Sequence, residues 1–390
     1  VIDVILAILI ISPLLITLSA VVINVLGWPK VRRAARRRAD SVSILIPARN
    51  EEENLAACLD SALRQGSEVA EILIYNDHST DGTAVIISQY AERDERVKSV
   101  PAIPLEPGWL GKNFACAQLA TAARSEWLLF IDADARLSGD AVARMLEEVE
   151  ARRLTLLSCW PGLELESFWE VALMPLLNFA VFTLYPAPLA LTRMRDAALG
   201  LAHGACLMFH RKSYEEFGGH ARVRAEIFED TMLAREWRAA GRRGLGLDGQ
   251  EIVRVRMYRS FGAIVRGFEK NFYPAFRREI SFWLFLILHA LVFLLPWLLA
   301  PLVALNLISG LALAPLVELV AIILLMRLVL ARHFGQPLWS AFLHPVGEAV
   351  LILIGLRSWL RCRTGKGVEW KGRSYGKREK AVRRPGFSRK

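Results

Sequence analysis

The chain has 390 residues, 54% of them hydrophobic, with 49 Lys+Arg against 39 Asp+Glu and a formal net charge of +10. That length suits two or three units of ordinary domain size, and the composition is too apolar for a disordered chain and high for a wholly soluble enzyme. Five scattered cysteines (Cys58, Cys116, Cys159, Cys206, Cys362), with no CxxC, argue against a disulfide scaffold or a structural zinc site.

The first residue is Val1, which points to a start that is missing or read from an unusual codon. Residues 1–28 are almost wholly apolar apart from Asp3, Asn24 and a few hydroxyls. They are long enough for a bilayer, which needs about 20 residues, and lack a basic start or small-residue cleavage site, so an uncleaved anchor is predicted. A basic linker, 29–40, follows, with Lys30, Arg32, Arg33 and Arg36–Arg38. Such runs beside apolar segments mark the cytoplasmic side and favour anionic lipid head groups. Nucleic-acid binding is the rival reading and is set aside, because the neighbouring segments are built for lipid.

Residues 41–280 alternate short apolar runs with helical stretches. Strands are predicted at Ser43–Pro47, Glu71–Tyr75, Val97–Val100, Trp127–Ile131, Leu154–Trp160 and Ala205–Phe209. Helices are expected between them: one capped by Asn50 with Glu51–Glu53 in its first turn, one over Gly82–Ala91, one over Phe114–Ala123, one capped by Ser138, and one over Thr231–Ala240. The pattern implies a mostly parallel α/β sheet, whose ligands gather beyond the carboxyl ends of the strands. The polar clusters Arg49-Asn50-Glu51, Asn76-Asp77-His78-Ser79 and Asp132-Ala133-Asp134 fall there. Residues 166–191, apolar with three prolines, are expected to lie in the membrane plane, because a full crossing would put Asp134 and Asp230 on opposite sides of the bilayer.

In the C-terminal region 281–360, the block Phe282–Met326 suits two spans joined by a turn near Pro301–Asn306, with Arg327 and Arg332 returning to the basic side. Phe342–Leu360, interrupted by His344, Pro345, Glu348 and Arg357, is expected to be re-entrant or interfacial. The tail 361–390 carries 12 Lys/Arg and 2 Glu, a surplus of +10 equal to that of the whole chain. The expected protein is integral to the cytoplasmic (inner) membrane, with residues 30–280 and the tail in the cytoplasm.

Asp132 and Asp134 flank one small residue at a strand end, so in extended chain their side chains share a face and can hold Mg2+ or Mn2+. Alone, the pattern also fits a strand-end turn; its place after a hydrophobic strand and the companion Asp77 favour the metal. No GxxxxGK[ST], no GxGxxG after a strand and no HExxH occurs, so a P-loop, a dinucleotide fold and a zincin have no support.

Ile46-Pro47-Ala48-Arg49-Asn50-Glu51, Asn76-Asp77 through Thr83, Asp132-Ala133-Asp134 and Glu229-Asp230 stand in the order expected of the inverting family-2 glycosyltransferases. Pro107–Asn113, Arg256–Arg259 and Trp370–Tyr375 resemble a membrane-bound subgroup acting on lipids, including the hopanoid-associated and carotenoid-type enzymes. The resemblance implies a Rossmann-like, glycosyltransferase A-type nucleotide-binding fold, a divalent metal and a nucleotide-sugar donor. It places Pro47 and Glu51 near the nucleobase, Asp77 at the nucleoside, and Lys112, with Asn113 beside it, toward the donor phosphates. Asp132 then meets the ribose or the metal, Asp134 ligates the metal, and Asp230 of the Glu229-Asp230 pair is the catalytic base. Two departures stand out: Asn76-Asp77 replaces an Asp pair, and the Gln-x-x-Arg-Trp motif of processive synthases is absent. Arg256 and Arg259, followed by Ser260, stand in its place as donor-binding candidates of open role. Trp370 and Arg373 of the tail are candidates to cover the site. His203 is read as a structurally satisfied histidine, with a place in the acceptor site as the alternative.

The implied reaction is displacement at an anomeric carbon by a lipid hydroxyl, with a base on one face and cations stabilising the departing diphosphate. Two other readings remain open at this point: transfer to a polyprenyl phosphate, which has less need of a base, and a non-catalytic membrane scaffold that keeps a nucleotide-binding fold.

Overall fold

The structure is a computed structural model and describes residues 2–32, 41–276, 278–364, 368–370 and 373–375. The basic run at Arg33–Arg38 and residues 376–390 of the tail lie outside the described residues, as do the side chains of Trp370 and Arg373.

In chain order the elements are α1 (Ile2–Gly27), β1 (Val42–Ala48), α2 (Leu55–Leu63), β2 (Val69–Asn76), α3 (Thr83–Arg93), β3 (Val97–Val100), α4 (Gly111–Ala122), β4 (Trp127–Ile131), β5 (Ala135–Leu137), α5 (Ala141–Ala151), β6 (Leu156–Trp160) and β7 (Gly162–Leu163). Then come α6 (Phe168–Leu173), α7 (Pro175–Leu184), α8 (Ala187–Thr192), β8 (Cys206–His210), α9 (Arg211–Phe217), α10 (Glu229–Ala239), β9 (Gly244–Asp248), β10 (Val253–Val255) and α11 (Phe261–Asn271). The chain continues through α12 (Glu279–Leu288), α13 (Leu295–Ala304), α14 (Leu313–His333), α15 (His344–Arg363) and the hairpin β11 (Val368–Trp370)–β12 (Arg373–Tyr375).

The central sheet has the order β3-β2-β1-β4-β8-β6-β9. All neighbours are parallel except β8, which runs antiparallel to both β4 and β6. Both faces are covered, which is why the strands read as continuous apolar runs. Helices α2, α3 and α5 pack on one face, and α4, α9 and α10 on the other. The reversed direction of β8 matters for the site: Ile131 at the end of β4 pairs with Cys206 at the start of β8. Residues 203–205 therefore sit beside Asp132. A small second sheet, β5-β10-β7, holds the chain just beyond Asp134.

Several boundaries differ from expectation for local reasons. Asn50 does not cap a helix: its backbone is left-handed (φ 51°), and its side-chain oxygen accepts from Thr80 N at 2.8 Å. Glu52 likewise bonds across to the other loop, accepting from Gly82 N at 2.7 Å. These cross-loop bonds delay α2 to Leu55, with Asn54 at its N-cap. Asp140, not Ser138, is the N-cap of α5, and the Ser138 hydroxyl donates to its carboxylate at 2.9 Å.

Among the described residues, four helical segments are long and apolar enough to cross a membrane by length and composition: Ile10–Gly27, Glu279–Ala304, Leu313–His333 and Leu338–Arg363. Pro301 lies inside α13, so the turn between the central two comes later than expected, over 305–312. Leu338–Arg363, expected to be interfacial, has the length of a span. Arg327 does not return to a basic surface; it is buried and donates to Pro175 O at 3.2 Å. Residues 168–192 form three short helices, the longest of 10 residues, about 15 Å at 1.5 Å per residue and half of a hydrocarbon core.

Anchor and sheet are joined by backbone. Val31 N donates to Asp248 O at 3.1 Å, Asp248 N donates to Pro29 O at 3.0 Å, and Trp28 Nε1 donates to Gly246 O at 2.9 Å. Asn24, buried in α1, donates to Phe182 O at 2.8 Å and Tyr185 O at 2.6 Å and accepts from Ala187 N at 2.9 Å. Asn24→Leu strands these three backbone groups, each worth about 1–3 kcal/mol when left unsatisfied. The expected result is a clear fall in melting temperature of the purified protein in detergent; an unchanged transition contradicts the tether.

Candidate active site

The loops beyond β1 and β2 are fastened to each other. Glu51 N donates to Thr83 Oγ1 at 2.8 Å, Asn50 N to Ser79 Oγ at 3.0 Å, and the Arg49 guanidinium to Asp77 O. This fixes Pro47, Glu51 and Asp77 on one wall of a cavity of about 420 Å3. Asp132 and Asp134, at the end of β4, continue that wall.

The middle of the cavity is a charge cluster. Lys112, in the first turn of α4, places its Nζ 2.8 Å from Asp132 Oδ1 and 3.0 Å from Glu229 Oε1. Asp230 accepts from Gly204 N at 2.7 Å and Thr231 N at 2.6 Å. Gly204 packs tightly here: a Cβ there would fall 3.1 Å from Lys112 Nζ and 3.3 Å from Asp230 Oδ2, so these side chains would have to shift slightly to admit one.

The neighbouring carboxylates are driven apart. Burial opposes ionisation of Glu229, yet the Lys112 ammonium prevails and holds its pKa below the ordinary value. Asp230 is pushed up to about 7, first by burial and then by the Glu229 charge, against Lys112 and its two N–H donors. Lys112 is held well above its usual value: burial works against it, and Asp132 and Glu229 outweigh that. A carboxylate poised near neutrality beside a fixed cation has the properties of a general base. His203 also lines the cavity, but burial pushes its pKa down to about 4, its Nδ1 accepts from Ala205 N at 3.2 Å, and its ring meets Trp160 edge-on. It is a neutral wall.

Much of the remaining lining is apolar: Leu176, Leu177, Ala180 and Val181 of α7, Phe272 and Phe276, Phe285 of α12 and Leu351 of α15, with Lys270 and Asn271 at the end of α11. One cavity thus runs from a carboxylate-lined end to an end walled by the apolar helices.

Of the residues singled out in the sequence, Pro47, Glu51, Asp77, Lys112, Asp132, Asp134, Glu229 and Asp230 all line this cavity. Asn113, Arg256 and Arg259 are not among its lining. Asn113 is buried, and its amide donates to Val223 O at 2.8 Å, Arg224 O at 3.3 Å and Glu226 O at 3.0 Å, clasping the loop that leads to Glu229. Arg256 is bound to Glu170 (Nε–Oε1 2.9 Å) and Glu166 (2.5 Å), holding the start of α6. Arg259 donates to Asn54 Oδ1 at 2.8 Å and lies 3.5 Å from Glu53. Arg49, Gly204, Tyr258 and Lys270 line the cavity without having been singled out as site residues. Tyr258 and Arg49 sit inside motifs already noted, whereas the helix end at Lys270 carries no motif.

The sequence model described as Glycosyl transferase family 2 matches residues 43–218. That stretch of the chain is similar to the family-2 glycosyltransferases. The chain is 26% identical over 355 residues to the 4,4'-diaponeurosporenoate glycosyltransferase of Staphylococcus aureus (strain USA300), covering 86% of this chain and 88% of that protein. The protein of the same description from Staphylococcus haemolyticus (strain JCSC1435) is 27% identical over 236 residues, 59% of this chain and 60% of that one. Among solved structures, the mannosyltransferase PcManGT from Pyrobaculum calidifontis, in complex with GDP-Man and Mn2+, aligns with a TM-score of 0.53 at 19% identity, covering 91% of this chain and 97% of that one. This last likeness is one of fold: a glycosyltransferase A-like sheet accompanied by apolar helices.

The matched region stops before Asp230, and the loop clasped by Asn113 leads on toward that carboxylate. Asn113→Ala is expected to cost about 1–3 kcal/mol of stability, because it leaves buried carbonyls without a donor. Lys112→Met is expected to lower nucleotide affinity, together with some stability because Asp132 and Glu229 lose their cation, whereas Asn113→Ala is expected to leave nucleotide affinity near wild type. Thermal melts and nucleotide titrations of both variants check this; the reverse pattern refutes the division of roles between these adjacent residues.

Proposed function

We propose that this protein is an inverting glycosyltransferase that moves a sugar from a nucleotide hexose, UDP-hexose being the first donor to test, to a hydroxyl of a lipid acceptor at the cytoplasmic face of the membrane. The observation that carries the reading is the single cavity shared by Asp77, Asp132, Asp134, Lys112 and Asp230 at one end and by the apolar walls of α7, α12 and α15 at the other. A soluble acceptor has no use for the second end. The similarity to the 4,4'-diaponeurosporenoate glycosyltransferase of Staphylococcus aureus, over most of both chains, supports the same class.

The donor's nucleoside is read against Pro47, Glu51 and Asp77, and its diphosphate against Lys112 and the carboxylates of β4. Those carboxylates suit Mg2+ or Mn2+: Asp132 and Asp134 supply hard oxygen donors on one cavity wall. No cluster of three His, Cys, Asp or Glu that could hold a metal occurs among the described residues, so phosphate oxygens and water are the natural remaining ligands. A cation bound there supplies counter-charge to the departing diphosphate. Lys112 adds a fixed positive charge that needs no rearrangement as negative charge develops.

Asp230 takes the proton of the attacking hydroxyl. Its two backbone donors hold the carboxylate in place, and its raised pKa makes it a better proton acceptor than an ordinary aspartate. One displacement inverts the anomeric centre, so an α-linked donor gives a β-glycoside. Exposed Phe168, Trp169, Phe261 and Trp339 form neighbouring aromatic pairs (Trp169–Phe261 centroids 4.6 Å apart, Phe168–Trp339 6.4 Å). Such a belt suits the head-group boundary and supports an interfacial placement of 166–191.

The direct test reconstitutes the protein in lipid vesicles with radiolabelled UDP-glucose or GDP-mannose, a total lipid extract and Mn2+, and identifies labelled lipid by mass spectrometry and its anomeric configuration by NMR. A β-linked glycolipid is expected from an α-linked donor; the absence of any labelled lipid, or retained configuration, refutes the proposal.

The pH dependence follows from the charge cluster. The base works deprotonated, so kcat/KM falls as pH drops through about 7. Glu229→Gln removes the like charge and moves this acid limb to lower pH. Asp230→Asn is expected to cost about 10²–10⁴-fold in kcat. Retention of most activity in Asp230→Asn favours transfer to an already ionised acceptor such as a polyprenyl phosphate.

A further inference from the structure

A group of ionisable side chains inside the helical bundle takes no part in the chemistry above. Glu348 of α15 and His289, which opens a single π-helical stretch (His289–Leu294) between α12 and α13, are fully buried, with His289 Nδ1 2.7 Å from Glu348 Oε2. His344 is equally buried, its Nε2 3.7 Å from Glu348 Oε1. Ionisable groups at such depth are costly, and π-bulges concentrate at functional positions. Helix-to-helix cohesion alone is met more cheaply by apolar packing.

The pair lies behind the cavity wall, next to two residues that line it. Phe285, one turn before His289, stacks on the imidazole with ring centroids 4.0 Å apart and planes inclined by 30°, and Phe285 lines the cavity. Leu351, one turn beyond Glu348 on the same face of α15, also lines it. Gly347 lets α15 close on α6 and α7: a Cβ there would fall 2.7 Å from Leu176 Cδ1 and 2.9 Å from Ala172 O, and Leu176 is again a cavity wall. The bond from carboxylate to imidazole fixes the orientation of the histidine ring, hence of the phenyl ring laid upon it.

We propose that the Glu348–His289 pair is a positioning device for the acceptor. By fixing Phe285 against α15 it sets the depth and width of the apolar end, so that a slender lipid chain is held with its hydroxyl at Asp230 and bulkier chains are refused. This rests on the reading of that end as the acceptor site.

The test uses the full chain reconstituted in vesicles and a fatty alcohol with a diazirine at the tail terminus. Photolabelling is mapped by peptide mass spectrometry in wild type, Glu348→Gln, Glu348→Leu and His289→Phe. Wild type is expected to be labelled around Phe285 and Leu351. Glu348→Gln, which keeps a hydrogen-bonding oxygen, retains that pattern. Glu348→Leu and His289→Phe lose about tenfold of it, with acceptor KM raised, donor KM unchanged and UDP binding by calorimetry unchanged. Labelling elsewhere in wild type, or an unaltered pattern in both apolar variants, overturns the inference, as does loss of UDP binding together with labelling. Wild type that is labelled as expected yet transfers no sugar to any lipid separates the failure of the proposed function from that of this pair.

Discussion

The Lys112 ammonium holds three distant stretches of chain at one point. It lies within 3.0 Å of carboxylates from the end of β4 and the start of α10, while its own backbone opens α4. Without that cation, Asp132, Glu229 and Asp230 are three carboxylates around one partly enclosed space, and leaving buried charges uncompensated is strongly destabilising. With it, Glu229 stays ionised and Asp230 is the member of the set that is free to titrate near neutrality. The β8 reversal serves the same end, because it brings Gly204 against Lys112 and Asp230, where a Cβ would crowd both side chains.

The second constraint is continuity between a polar sheet domain and apolar helices. The linker after α1 hydrogen-bonds to edge strand β9, and Asn24 ties α1 to the corner between α7 and α8. Arg144 clamps the linker from α5 through the carbonyls of Val31 and Arg32, at 2.8 and 2.9 Å. Helix α7 is then shared: Phe179 and Phe182 pack into the bundle core, while Leu177, Ala180 and Val181 wall the cavity. The apolar end is therefore built by the junction of domain and bundle rather than by either alone.

Much of this was legible in the sequence for physical reasons. Buried parallel strands produce apolar runs such as Trp127–Ile131, and the carboxyl end of such a strand is where a ligand-facing Asp-x-Asp has meaning. What escaped reading were directions and neighbours. Lys112 and Asn113 are adjacent in one motif, yet about 100° of helix turn sends one into the cavity and the other into the core. Arg256 and Arg259 looked like donor-binding residues because a motif can show a cation but not the acids it will meet; Glu166, Glu170 and Glu53 meet them. Gly204 escaped because its importance lies wholly in what surrounds it, and Asn50 was read as a helix cap because the competing bond to Thr80 comes from a loop 30 residues away. The last apolar segment, expected to be re-entrant or interfacial so that the basic tail shares a side with the basic linker, carries polar interruptions His344 and Glu348 that the structure buries against each other and His289.

The central claim is that Lys112, Asp132 and Asp134 form one seat for a nucleoside diphosphate and its divalent cation. Calorimetric titration of UDP and GDP into the detergent-solubilised protein, with and without Mn2+, tests it most directly when repeated on Asp134→Ala. The account predicts binding of one of the two nucleotides that strengthens with Mn2+ in wild type and loses that dependence in Asp134→Ala. Neither nucleotide binding to wild type, or a Mn2+ dependence untouched by the loss of Asp134, contradicts it.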